Sequence, residues 1–202
     1  MDNRKLHHFW TNIRLVKPYY FLALAVILAG VSLYALRSNN FKMIELRDAV
    51  VAADKDDGDT ETALRNLREF VYGHMNTNLT SGSNNIKPPI QLKYRYERAV
   101  QAEKDRVSTE TAKVYTAAQA SCEALYPQSF SGGPRVPCIK AYIDSHVVTE
   151  KYIDGNLYKF DFVSPTWSPD LAGWALLGSA VALAIFVVLR VIHGWVRSKL
   201  DI

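Results

Sequence analysis

The chain has only two cysteines, Cys122 and Cys138, and five histidines in 202 residues. The fifteen residues between the cysteines exclude a redox C-x-x-C pair. No G-x-S-x-G, Walker or dinucleotide glycine pattern occurs, and FSGGPR (residues 130–135) reads as a turn rather than a phosphate loop. Without a convergent nucleophile, acid–base pair or metal set, the expectation is a protein that is not an enzyme. No catalytic residue, cofactor or metal is therefore assigned. Charge is also missing, from two stretches: YYFLALAVILAGVSLYAL (Tyr19 to Leu36) and LAGWALLGSAVALAIFVVL (Leu171 to Leu189). Each is long enough to cross about 30 Å of hydrocarbon at about 1.5 Å per residue. Two such runs at opposite ends of the chain argue for two transmembrane helices rather than two buried soluble ones.

The first run could instead be a cleaved signal peptide. Its length and the poor cleavage sites after it (Leu33/Ala35, Gly30/Ser32) favour an uncleaved anchor. The formal charge of +4 is not a nucleic-acid signature, because it divides by segment. Residues 37–170 carry 17 Lys and Arg against 18 Asp and Glu. The tails carry Arg4, Lys5, Arg14, Lys17, Arg190, Arg197 and Lys199 against Asp2 and Asp201. Basic flanks favour the cytoplasmic leaflet, so both tails are expected inside and the middle outside. Arg37, Lys42 and Arg47 weaken this bias, and the inverted topology competes. The resulting organisation is a cytoplasmic basic tail (1–18), a span (19–36), an extracytoplasmic helical domain (37–170), a second span (171–189) and a basic tail (190–202). Tyr19, Tyr20 and Trp195 are expected at the inner interface, and Trp167 and Trp174 at the outer one.

An extracytoplasmic position bears on the cysteines. Outside a bacterial inner membrane thiols oxidise, and Cys122 and Cys138 are expected to pair rather than remain two buried thiols. Closing a loop of about 15 residues contributes about 3 kcal/mol through chain entropy.

Within the middle segment, FKMIELRDAVVAA (41–53) places Met43, Leu46 and Val50 on one helical face. It is read as prolonging the first span, with Ser38-Asn39-Asn40 offering a point for a break. Residues 60–75 repeat the spacing through Leu64, Leu67 and Val71, giving an antiparallel hairpin across the turn DKDDGD (54–59). LTSGSNNIKPP (79–89) is a linker. A long helix is expected from Pro89, suited to a first helical turn, to Tyr126. Val100, Val107 and Val114 recur along it, but Glu103 and Glu110 spoil a coiled-coil seam. A helix wrapped by the hairpin is the better reading. A short helix over 138–148, with Ile139, Tyr142, Ile143 and His146 or Val147 inward, and an extended segment over 157–163 follow. The fold class is thus mainly α: two transmembrane helices bracketing a helical bundle with a long central helix and a short extended segment before the second span.

Weaker signals have plain explanations. Asp54, Asp56, Asp57, Asp59 and Glu61 are hard oxygen donors, but Gly58 and Arg65 depart from the calcium-loop spacing, and Asp59 or Thr60 suits a helix N-cap. His74 and His146, the latter near Glu150 and Asp144, read as packing or surface residues rather than metal ligands. Asn78-Leu79-Thr80 is a glycosylation sequon that matters only in a eukaryotic secretory pathway. Arg190 is placed at the inner edge of its span, where snorkelling satisfies it, and no mid-span charge suggests a pore. Ala175/Ser179 and Gly178/Ala182 are small-x-x-x-small pairs able to seat another helix.

With its spans and the helices at 41–53, 60–75 and 90–126, the chain resembles the extracytoplasmic sensor module of bacterial chemoreceptors and sensor kinases. It departs from them in having too few residues after Leu189 for a signalling domain. VSPTWSPDLAG (163–173) resembles the proline-containing approach to the second span in polysaccharide chain-length regulators, whose outer domain is longer. FVYGHMNT and PPIQLKYRYERA look like phrases of uncharacterised bacterial two-span proteins. The resemblances imply a non-enzymatic, membrane-anchored scaffold or sensor-like subunit of a cell-envelope assembly in the inner membrane. The alternative they imply is a polysaccharide copolymerase-like oligomer. The partners expected are membrane lipid and further copies or other envelope proteins, with no nucleic acid.

Overall fold

The computed structural model describes residues 17–79, 87–127 and 133–199. Among them the chain is mainly helical: α1 (Tyr19–Lys55), α2 (Thr60–Gly73), α3 (Lys93–Leu125), α4 (Arg135–Ser145) and α5 (Leu171–Lys199). A 3₁₀ turn (Gly155–Tyr158) and two short strands, β1 (Ile90–Gln91) and β2 (Lys159–Phe160), complete it. α1 and α5 are both long and apolar enough to cross a membrane. The chain divides into two compact units: one takes the described residues of 1–51, 59–89 and 161–202, the other 52–58 and 90–160. The segment 37–170 contributes to both.

In the first unit, α1 and α5 run antiparallel against each other. Ser32 Oγ donates to the Ala172 carbonyl at 3.1 Å, and Ser179 Oγ donates to the Ala25 carbonyl at 3.0 Å. Ala25, Ser32 and Ala35 are buried on α1, as are Ala172, Ala175 and Ala182 on α5. The close approach depends on small side chains: a Cβ added to Gly178 would stand 3.2 Å from Leu28 Cδ1. This is how helices associate where lipid removes any hydrophobic gain, through van der Waals contact and short polar bonds. The seat anticipated on Ala175, Gly178, Ser179 and Ala182 is thus filled from within the chain, by α1.

α1 continues through Ser38-Asn39-Asn40 without the break the polar residues allowed. Asparagine unsettles a helix when its side chain competes for nearby backbone groups. Here Asn39 and Asn40 instead bond to Asp170, Met75 and Asn76, far along the chain. The expected face of α1 is inward, with Met43 and Val50 fully buried. α2 buries Thr60, Leu64, Leu67 and Val71 on one stripe and is N-capped by Asp59, which accepts the Thr62 N–H at 3.0 Å. His74 ends it. Asn76 then adopts φ 61°, a left-handed conformation that asparagine tolerates.

In the second unit, α3 begins at Lys93 rather than Pro89, because Ile90 and Gln91 pair antiparallel with Phe160 and Lys159. Leu92 has no side-chain cap to offer. Asp54 caps the helix from a distance, accepting the Tyr94 N–H at 3.0 Å and the Arg95 N–H at 2.8 Å. Packed against α3 are α4 and the 3₁₀ turn. Of the expected extended segment over 157–163, Lys159 and Phe160 form β2, while Leu157 and Tyr158 belong to the 3₁₀ turn that Asp154 caps. Alternation survives, with Tyr158 and Phe160 half-buried between exposed Leu157, Lys159 and Asp161. α4 starts three residues earlier than expected, at Arg135, with Pro134 before it and Pro137 in its first turn, where no intrahelical N–H bond is lost. Ile139, Tyr142 and Ile143 are half-buried, whereas His146 and Val147 are exposed, Val147 by 70%.

Candidate functional site

The densest polar structure of the first unit lies at the end of the α1–α5 pair where α5 begins. Asp170 N-caps α5, its Oδ1 accepting the Gly173 N–H at 2.9 Å. Its Oδ2 accepts Asn39 Nδ2 from α1 at 2.7 Å. Burial works to raise the Asp170 pKa, but the Gly173 N–H, the Asn39 amide and the Ser168 hydroxyl outweigh it and hold the carboxyl below its ordinary value. Ser168 Oγ, itself buried, accepts the Met75 N–H at 2.9 Å. Asn76 Nδ2 donates to the Leu36 carbonyl at 3.1 Å, tying the end of α2 to α1. Thr77 closes the turn with bonds to the Val71 and His74 carbonyls. Gly173 is required here: a Cβ would overlap the backbone oxygen of Ser168 and crowd Trp167 Nε1. The knot therefore locks three segments (α1, the turn after α2 and the approach to α5) at one level.

Beside the knot lies an open groove of about 710 Å³. Leu33, Leu36 and Phe41 form its apolar wall, and Arg37, Asn40 and Thr166 its polar edge. The Arg37 guanidinium lies 5.3 Å from the Phe41 ring centroid and makes no ion pair among the described residues. Trp167 and Trp174, both partly exposed, meet edge to face at 5.8 Å at this same end. At the other end Tyr19 packs on Phe186 at 6.3 Å, and Arg190 lies 5.7 Å from the Tyr19 ring. Tyr20 and Trp195 are exposed by 67% and 50%. Lys17 and Arg197 are exposed, Lys199 ends α5, and Arg14 lies outside the described residues.

The second unit has its own polar centre. Glu103 faces inward from α3 and accepts both Arg106 Nη2, at 2.7 Å, and the Lys151 N–H, at 2.6 Å. Arg106 Nη2 also donates to the Thr149 carbonyl at 3.0 Å. The Arg106 hydrogen bond first, and the Lys151 N–H second, lower the Glu103 pKa to about 2. The acid that spoiled a coiled-coil seam is thus the clamp holding residues 149–151 on α3. Cys122, fully buried, is joined to Cys138 with their Cα atoms 5.9 Å apart, fastening the end of α3 to α4.

Five of the residues weighed as metal ligands have other partners. Asp54 caps α3, Asp57 pairs with Arg98 at 3.0 Å, and Asp59 caps α2. His74 stacks on Phe70 at 4.1 Å and His146 on Tyr142 at 4.3 Å, each with Nδ1 3.0 Å from the carbonyl four residues back. Among the described residues no three His, Cys, Asp or Glu side chains gather as a metal set. Of the sequon, Leu79 is buried and Thr80 lies outside the described residues. Sequence reasoning missed the knot and the clamp. The one available signal was Asp170 directly before an apolar run, the ordinary mark of a helix N-cap. No family model, curated protein or solved structure matches the chain.

Proposed function

We propose that this protein is a non-enzymatic, membrane-anchored subunit of a bacterial cell-envelope assembly, acting as a scaffold or sensor-like component through its helical domain. α1 and α5 span the inner membrane, both termini are cytoplasmic, and residues 37–170 are extracytoplasmic. The observation that carries this reading is the α1–α5 pair. It associates through alanine, serine and glycine while leaving large apolar residues outward, among them Val26 and Ile27 on α1, 64% and 63% exposed, and Val188 on α5, 55% exposed. A contiguous outward apolar surface of that kind belongs in lipid, not water. The basic tails support the orientation, and the aromatic residues near both ends of the pair support the spanning. The cysteine pair fits an oxidising compartment. The use of Glu103, Asp54, Asp170, His74 and His146 in caps, clamps and stacking supports a structural rather than a catalytic role.

The alternative, a polysaccharide copolymerase-like oligomer, is favoured by one feature. α3 runs 33 residues with only Ala118 and Cys122 fully buried, leaving most of its surface open to further copies. A ring with a central lumen in electron micrographs would select it.

The topology is tested with a membrane-impermeant maleimide in a Cys122→Ser/Cys138→Ser background. Val147→Cys should label in spheroplasts, and Lys17→Cys only after permeabilisation. The reverse pattern overturns the orientation. Release of the chain by alkaline carbonate overturns the anchoring.

A further inference from the structure

The groove beside the knot has an unusual position in the chain. Its apolar wall begins at Leu33, inside the charge-free run of α1, and ends at Phe41, beyond it. Arg37, the first charge after that run, stands between them. At about 1.5 Å of rise per residue, the wall extends about one helical turn to either side of the point where hydrocarbon gives way to headgroups. Leu33 and Phe41 remain 68% and 59% exposed, so the wall is not covered by the fold itself.

The charges in the groove are one-sided. Its nine lining residues include one cation, Arg37, and no carboxylate. Asp170, the acid of the adjoining knot, is already bound to Asn39 and the Gly173 N–H. Arg37 is held over the Phe41 ring rather than by an acid. A guanidinium presents forked N–H donors that suit phosphate oxygens, and the Thr166 hydroxyl of the same groove can donate as well. A volume of about 710 Å³ falls in the ordinary range of ligand pockets and admits a headgroup with the upper part of its chains.

From this arrangement we infer that the groove binds one anionic phospholipid of the surrounding bilayer, its phosphate on Arg37 and its chains along Leu33, Leu36 and Phe41. The inference rests on the reading that α1 and α5 span a membrane. A lipid seated there touches α1 at Leu33 to Phe41, the turn after α2 at Met75 and the approach to α5 at Thr166, the segments the knot holds together.

The test is native mass spectrometry of the full chain, purified in detergent, stripped of lipid and titrated with phosphatidylglycerol or phosphatidylcholine. The wild type should retain one phosphatidylglycerol per chain, preferred over phosphatidylcholine by about fivefold, the contribution of one near-surface cation. Arg37→Gln should lose that preference. Lys42→Gln, outside the groove, should keep it, and Thr166→Lys, which adds a cation at the rim, should increase it. Equal retention of the two lipids by the wild type, no retained lipid, or an unchanged preference in Arg37→Gln overturns the inference. A chain that resists carbonate extraction yet shows no preference loses the groove and keeps the anchor. A chain that carbonate releases loses both.

Discussion

Asn39 and Asp170 are separated by 131 positions, yet their side chains meet at 2.7 Å. The contact joins α1 to the residue that starts α5. Asp170 serves two partners, because its other oxygen accepts the Gly173 N–H. One carboxylate therefore sets both where α5 begins and how it stands against α1.

Replacing Asp170 by Ala removes an N-cap and leaves the Asn39 amide only its longer bond to the Met75 carbonyl, at 3.4 Å. The expected loss is about 1–3 kcal/mol, an N-cap contribution plus the loss of a short hydrogen bond to a charged acceptor. Asn39→Ala alone should lose less, about 0.5–1.5 kcal/mol. The double variant should be less destabilised than the sum of the two, because both act on one contact. Thermal unfolding of the chain in detergent micelles gives all three values, and strict additivity would contradict the shared contact.

Two glycines should respond in opposite directions. Gly173→Ala drives a Cβ into the Ser168 carbonyl oxygen, and backbone there cannot yield without opening the knot. A loss of about 1–3 kcal/mol is expected. Gly30 on α1 has open space around its missing Cβ, so Gly30→Ala should be neutral or gain up to about 1 kcal/mol from helix propensity. The same unfolding assay compares them.

The cysteine bridge is expected to matter locally. α4 has no fully buried residue, and besides the bridge Arg135 ties it to Tyr126 and Glu123. The oxidised chain should weigh about 2 Da less than the reduced one, since two hydrogens leave on bridging. Cys122→Ser should destabilise the second unit by about 2–4 kcal/mol. Hydrogen exchange should rise over Arg135–Ser145 while the helix Thr60–Gly73 keeps its protection. Two freely alkylated thiols in protein isolated without reductant would contradict the bridge.

The Glu103 clamp predicts a pH dependence. Its carboxyl is lowered from about 4.5 to about 2, so the unfolded chain takes up the proton first as pH falls. The clamp's contribution is complete above about pH 4.5 and is lost as pH falls through about 2. Arg106→Gln should return the Glu103 titration toward its ordinary value and raise the exchange rate of the Lys151 amide. Carboxyl chemical shifts of labelled glutamate measure the first, and hydrogen exchange the second. An unmoved titration would show that Arg106 is not the cause.

Local chemistry determined much of this protein from its sequence. Leu64, Leu67 and Val71 share a face because a helix repeats every 3.6 residues, whatever lies opposite. The two charge-free runs were legible for the same reason, since length and polarity are properties of a segment alone. Cys122 and Cys138 could be paired because there was no other candidate, and a short loop keeps two ends near each other. The start of α3 was not legible. Pro89 suited a first turn, but Ile90 and Gln91 were claimed by strand partners about 70 residues away, and the cap came from Asp54. Nor was the continuity of α1 legible, since Asn39 breaks or sustains a helix according to where its amide finds an acceptor. The small residues of α5 announced a seat without naming its occupant. Ser32 and Ala25 were brought to it only by the antiparallel return of the chain. Sequence specifies what a residue can bond; only the folded chain decides which partner reaches it first.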